Sequence, residues 1–189
     1  MVLAYHIIFT AYGFWLPNDP RGSWSDYVAS WDLHKFGNAT TTSTRRSVAG
    51  RAHDHSLRQE AKAVLKYPPV RFTGRQALAI AGGFARAIAD AGCVLWALSI
   101  LPDHVHGVLQ RPAQRAEIVV GRLKALAARQ LRAQGLHPFA DIAQSPWAQR
   151  CWKVFLNTDA DIRRAIAYVQ ANPAKEGKRP QHWSFVTPY

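Results

Sequence analysis

Acidic residues are scarce in this chain. Asp and Glu number 12 against 24 Lys and Arg, which leaves a formal net charge of +12 across 189 residues before any of the eight histidines takes a proton. That excess argues for a polyanionic partner. Nucleic acid ranks ahead of membrane, because the basic residues are spread among Trp and Tyr rather than set on one amphipathic anchor helix. Cysteine is scarcer still: Cys93 and Cys151 are the two present, each inside an apolar stretch. Buried free thiols in a reducing compartment are therefore expected rather than a disulfide. Long hydrophobic runs are missing, since none approaches the roughly 18 residues of a membrane-spanning helix. Met1-Val2-Leu3-Ala4-Tyr5-His6 also lacks the basic region and cleavage site of a secretory signal, so the expectation is a cytoplasmic protein. No internal repeat occurs. With 48% hydrophobic residues the chain suits one domain, 1–189, carrying a large insertion at about 17–66.

Taken in order, residues 3–10 are β-branched and aromatic and read as a strand. A turn-rich stretch with Trp15, Arg21 and Trp24 follows, either a hydrophobic flap or a stacking platform for single-stranded nucleic acid. From 25 to 51 no period persists, and the polar run 40–46 reads as part of a long surface insertion. Leu57, Ala61, Val64 and Leu65 mark a helix stopped by Pro68 and Pro69. Thr73 and Gln76 form a capping box ahead of the apolar face Leu78, Ala81, Ala85 and Ile88. Residues 94–101 and 104–109 read as two strands joined at Pro102-Asp103, 118–133 as a helix, 148–156 as a fourth strand, and 159–172 as a last helix ended by Pro173. The succession is that of an α+β fold with a ferredoxin-like (βαββαβ) antiparallel sheet, helices on one face, the long N-terminal insertion and an extra C-terminal helix.

Chemistry concentrates at Leu101-Pro102-Asp103-His104-Val105-His106. On a strand, His104 and His106 share a face with β-carbons roughly 6–7 Å apart, a spacing at which two imidazoles can hold one metal ion. A second H-x-H, His53-Asp54-His55, falls at a helix start, where residues two apart diverge by about 200° and converge poorly on an ion. In the last helix Tyr168 and Asn172 are four apart and share a face, a hydroxyl nucleophile beside an amide oxygen. Two imidazoles and one amide oxygen would leave a divalent ion with positions for a phosphate oxygen and water.

Three segments in this order, Tyr5-His6-Ile7-Ile8-Phe9-Thr10, Leu101-Pro102-Asp103-His104-Val105-His106 and Tyr168-Val169-Gln170-Ala171-Asn172-Pro173, resemble the single-tyrosine HUH transposases, including the REP-associated tyrosine transposases. The resemblance implies a catalytic domain that binds hairpin-forming single-stranded DNA, with Mg²⁺ or Mn²⁺ at His104 and His106 and Asn172 as third ligand. It further implies that Tyr168 breaks a phosphodiester to give a 5′-phosphotyrosine and a free 3′-hydroxyl. Within the family some members exchange the tyrosine helix in a dimer and others are monomer-like, so both a monomer and a homodimer stay open. The long insertion departs from compact members. A phenol, with an ordinary pKa of about 10, needs help to lose its proton but leaves more readily than an alkoxide, which suits strand transfer over hydrolysis. Two other readings remain: a non-catalytic single-stranded nucleic-acid-binding module, and a hydrolase in which water attacks. Charge, aromatic character and position nominate Arg21, Trp24, Arg122, Lys124, Arg129 and Trp183 as DNA contacts.

Overall fold

The structure is a computed structural model that describes residues 1–42, 48, 50–140 and 142–189. The polar run expected over 40–46 lies, from residue 43 onward, outside the described residues. The elements are β1 (Ala4–Thr10), α1 (Trp31–His34), α2 (His55–Ala63), α3 (Gly74–Ala91), β2 (Leu95–Ile100), β3 (His104–Gln110), α4 (Ala116–Ala133), β4 (Trp152–Leu156) and α5 (Asp159–Lys175). They form two compact units, one of Met1–Ala11 with Arg71–Tyr189, the other of Tyr12–Val70.

In the first unit the four strands pair antiparallel in the order β2-β3-β1-β4. Alternation along β1 sends Ile7 and Phe9 to one face and Ala4 and His6 to the other. Phe9 meets Phe84 of α3 and the Trp147 ring edge-on, at 5.9 and 5.4 Å. Trp147 also donates its indole N–H to the Lys124 carbonyl of α4. Helices α3 and α4 therefore cover the Phe9 face. They approach closely at Gly83, where a β-carbon would stand 2.6 Å from the Ala127 backbone. The opposite face, with Ala4, Ala97 and Val108, takes the apolar stripe Ile162, Ala165 and Val169 of α5. The helices thus lie on both faces of the sheet rather than one, because the α5 stripe needs an apolar surface and the second face offers one.

Both long capping boxes form as the residue types dictate. Thr73 and Gln76 bond each other's backbone at the start of α3, and Thr158 and Asp161 do the same at α5. Gly92 ends α3 in the left-handed conformation at φ 57°, which glycine adopts without steric cost. Two boundaries differ from expectation. Strand β4 starts at Trp152 rather than 148 because Arg150 takes φ 57° and turns the backbone, although Trp147 still bridges to Ala11. Helix α5 runs through Pro173 to Lys175. A proline inside a helix removes the N–H that would reach the carbonyl four residues back, here Val169. The Ser99 hydroxyl of β2 donates to that carbonyl at 2.5 Å, so the helix continues with the vacancy filled from the sheet.

In the second unit Leu16, Val28, Leu33 and Ala61 form a small apolar core bordered by Phe36, Val64 and Leu65. Asp19, whose side chain is wholly buried, holds Arg21 at 2.8 Å and Arg58 at 3.1 Å. The Arg21 guanidinium also lies 4.1 Å over the Trp15 ring, and the Trp15 indole donates to the Gly22 carbonyl. Burial alone would raise the Asp19 pKa. The hydrogen bonds and charge of Arg21, with the charge of Arg58, outweigh it and hold the carboxyl below its ordinary value. Replacing one member of such a buried pair leaves the other charge uncompensated, at a cost of about 3–5 kcal/mol. Asp19→Asn should lose stability of that order near neutral pH in urea denaturation. A carboxyl with a lowered folded pKa contributes stability above its unfolded value, near 4, and loses it as the pH falls through the folded value. The gap between the wild type and Asp19→Asn should therefore narrow below about pH 4; a gap constant down to that range would contradict the assignment.

Candidate active site

The β3 register sets Thr10 opposite His104, and Ile8 and Ser99 opposite His106. Both histidines face α5. His104 is half-buried and His106 buried, at 6% exposure. Each imidazole is pinned through Nδ1. The Asp103 carboxylate lies 2.7 Å from His104 Nδ1 and also takes Arg71 at 2.9 Å, so an N–H on Nδ1 fixes that ring. His104 Nε2 then faces Glu176 of the segment just past α5, 3.9 Å away. His106 Nδ1 lies 3.0 Å from Nε2 of the buried His6 on β1. Burial pushes the His106 pKa down to about 2, helped by the charges of His104, His6 and Lys175, and pushes His6 to about 4. Both rings are neutral at physiological pH.

Tyr168 stands over this pair. Its ring centroid is 5.6 Å from that of His106 and 5.7 Å from that of His6, edge-on to both, and the residue is 43% exposed. The Lys175 ammonium caps the same ring at 4.2 Å. The Ser99 bond to Val169 ties down the residue directly after Tyr168, which positions the phenol against the sheet. Asn172, one turn on, is buried, and its Nδ2 has no hydrogen-bond partner among the described residues.

The structure brings His104, His106 and Tyr168 together. The cluster of metal-ligating side chains among the described residues is Asp103, His104 and Glu176, with ligand atoms within 4.8 Å of one another. Imidazoles held through one nitrogen, beside carboxylate oxygens and a buried amide, match the donor set of a divalent cation that accepts nitrogen and oxygen. Sequence reasoning passed over four residues here. Asp103 was readable as more than a turn former because it adjoins His104, and Glu176 because it follows Asn172 by four. His6 and Ser99 required the strand register, which no local spacing gives.

The other nominated residues lie elsewhere. Arg21 is buried on Asp19, and Trp24 is half-buried, both in the second unit. On α4, Arg122 and Arg129 are exposed, whereas the Lys124 ammonium donates to the carbonyls of Ala148 and Arg150 and lies over the Phe9 ring. These three belong to the layer on the sheet face opposite Tyr168. Trp183 is half-buried, its indole nitrogen enclosed. The rings of His53 and His55 do adjoin, with centroids 4.1 Å apart, because His53 precedes the Asp54 N-cap and escapes the helical divergence.

No protein-family model matches the chain, and neither does any curated protein. Among solved structures it is similar to a REP-associated tyrosine transposase bound to a REP hairpin. The identity is 14% and the TM-score 0.49, over 93% of this chain and 68% of that one. It is also similar to a candidate transposase from Deinococcus radiodurans R1, at 16% identity and a TM-score of 0.42, over 89% of this chain and 91% of the other.

The seat of Tyr168 is open to a direct test. Ser99→Ala leaves the Val169 carbonyl buried and unpaired, which should cost about 1–3 kcal/mol in urea denaturation. Pro173→Ala restores a helical N–H to that carbonyl, so Ser99→Ala should cost markedly less in its background. Equal costs in the two backgrounds would refute the exchange of one donor for the other.

Proposed function

We propose that the chain is a metal-dependent single-stranded DNA endonuclease and strand transferase of the HUH tyrosine transposase type, acting on hairpin-forming DNA. The observation that carries this reading is the Tyr168 ring held 5.6 Å from His106 by a helix fastened to the neighbouring strand. The strand order β2-β3-β1-β4 supports a ferredoxin-like plan, with α5 as the extra helix that brings the tyrosine.

His104, His106 and Asn172 would hold Mg²⁺ or Mn²⁺, with the Glu176 carboxylate beside His104. A bound ion of this kind supplies positive charge that polarises the phosphorus and stabilises the leaving oxygen. The chain's own residues do the rest. Asp103 and His6 keep the two imidazoles oriented, and the α5 seat keeps the phenol at the sheet surface with one side open to solvent. Tyr168 oxygen attacks phosphorus, forming the phosphotyrosine bond as the bond from phosphorus to the 3′ oxygen breaks. The phenol gives up one proton and the departing 3′ oxygen gains one, so no proton is consumed overall. Because the phenoxide is itself a competent leaving group, the same step runs backwards when a 3′-hydroxyl attacks. Lys175, 4.2 Å from the ring, is placed to favour negative charge on the phenol during both directions.

Tyr168 meets the histidines of its own chain, as a monomer acting in cis requires. Arg122 and Arg129 are exposed for phosphate contact, whereas Arg21 and Lys124 already spend their charge inside the protein. No helix among the described residues is long and apolar enough to cross a membrane, and a DNA substrate assigns the protein to the cytoplasm.

Labelled hairpin DNA incubated with the protein and Mn²⁺ should give a covalent adduct on a denaturing gel, lost with chelator and abolished in Tyr168→Phe. Cleavage that persists in Tyr168→Phe would replace the tyrosine with water as nucleophile. Binding indifferent to chelator, with no cleavage under any metal, would reduce the protein to a binding module.

A further inference from the structure

The bond between His6 and His106 crosses from β1 to β3 in the buried layer beneath Tyr168, 3.0 Å between His6 Nε2 and His106 Nδ1. Two neutral imidazoles facing each other this way share one proton between the facing nitrogens, and the choice of owner decides what the far nitrogen of His106 can do. If His6 Nε2 carries the proton, His106 accepts at Nδ1 and must carry its own proton on Nε2, where it repels a cation. If His106 carries it on Nδ1, its Nε2 presents a lone pair. His104 receives the equivalent instruction from the Asp103 carboxylate. Among the described residues no carboxylate contacts His106, and the Ser99 hydroxyl opposite it spends its proton on the Val169 carbonyl.

We infer that His6 is a positioning residue: it accepts the Nδ1–H of His106 and so fixes that imidazole in the tautomer whose Nε2 can bind a divalent cation. The arrangement is built by the sheet. His6 lies diagonally from His106, with Val108 directly opposite His6 and Ile8 directly opposite His106, and both rings are buried, at 9% and 6% exposure. Little of either ring is open to water as an alternative partner. His6 also touches Tyr168, at 5.7 Å between centroids, so one buried ring supports both the ligand and the phenol. The inference rests on the metal reading above, and its test separates the two.

Mn²⁺ affinity is measured on the DNA-free full chain by electron paramagnetic resonance of the unbound ion, for the wild type, His6→Phe and His6→Gln. Loss of a partner that orients a metal-ligating histidine weakens metal binding by about 10- to 100-fold, and that loss is expected in His6→Phe, which keeps a ring under Tyr168. His6→Gln retains an acceptor oxygen and should recover most of the affinity. Nitrogen NMR of the Mg²⁺-loaded wild type should show His106 protonated on Nδ1, a readout that stands even if His6→Phe fails to fold. A folded His6→Phe that binds Mn²⁺ like the wild type overturns the inference, as does a His106 protonated on Nε2. If His6→Gln is as weak as His6→Phe, the effect belongs to ring packing and the inference falls. A wild type that binds no Mn²⁺ defeats the metal reading itself, and this inference with it.

Discussion

Everything at the site depends on strand alternation locked to a single register. Pairing Ile8 and Ser99 with His106, and Val108 with His6, puts His6, Ser99, His104 and His106 on the face that α5 covers. A slip of one residue would turn these polar side chains into the layer where Phe9 meets Phe84 and Trp147, and expose that apolar layer in exchange. The large rings on one face therefore protect the chemistry on the other. They make the register that sets the histidines under α5 the same register that buries the core.

The second constraint is how α5 is held. On the proposed function α5 carries the nucleophile, and such a helix must bury enough of itself to be fixed while leaving the reacting group accessible. Ile162, Ala165 and Val169 provide the burial, and Tyr168 stays 43% exposed at the edge of that stripe. Pro173 would ordinarily loosen the helix one turn later. Instead its missing N–H frees the Val169 carbonyl for Ser99, and a local defect becomes a tether between helix and sheet at the level of His106. Burying imidazoles carries a desolvation cost, which is why His106 and His6 stay neutral and why their facing nitrogens are matched to each other. Neutral rings with directed lone pairs are also what a divalent cation requires, so burial and the proposed metal site make the same demand.

Much of this was legible in the residues. The capping box at Thr73, the hairpin around Pro102-Asp103, and the shared faces of His104 with His106 follow from local rules and stand in the structure. What escaped was non-local. Pro173 read as a helix stop because the serine that rescues it lies 74 positions earlier, on another strand. Arg21 and Lys124 read as phosphate contacts because sequence shows charge but not that Asp19 or two backbone carbonyls already engage it. His6 read as part of a strand motif, and only the register reveals its bond to a residue 100 positions away. Local chemistry was visible, whereas its partners were set by topology.

The central claim is that Tyr168 itself becomes bonded to DNA. The most direct measurement is mass spectrometry of the protein after reaction with a single-stranded hairpin and Mn²⁺, followed by nuclease trimming and proteolysis. A nucleotide remnant attached through phosphate to Tyr168, in the peptide that also carries Asn172, is the result this account predicts. A remnant on Tyr5, Tyr67 or Tyr189, or cleaved DNA with no modified tyrosine at all, would contradict it.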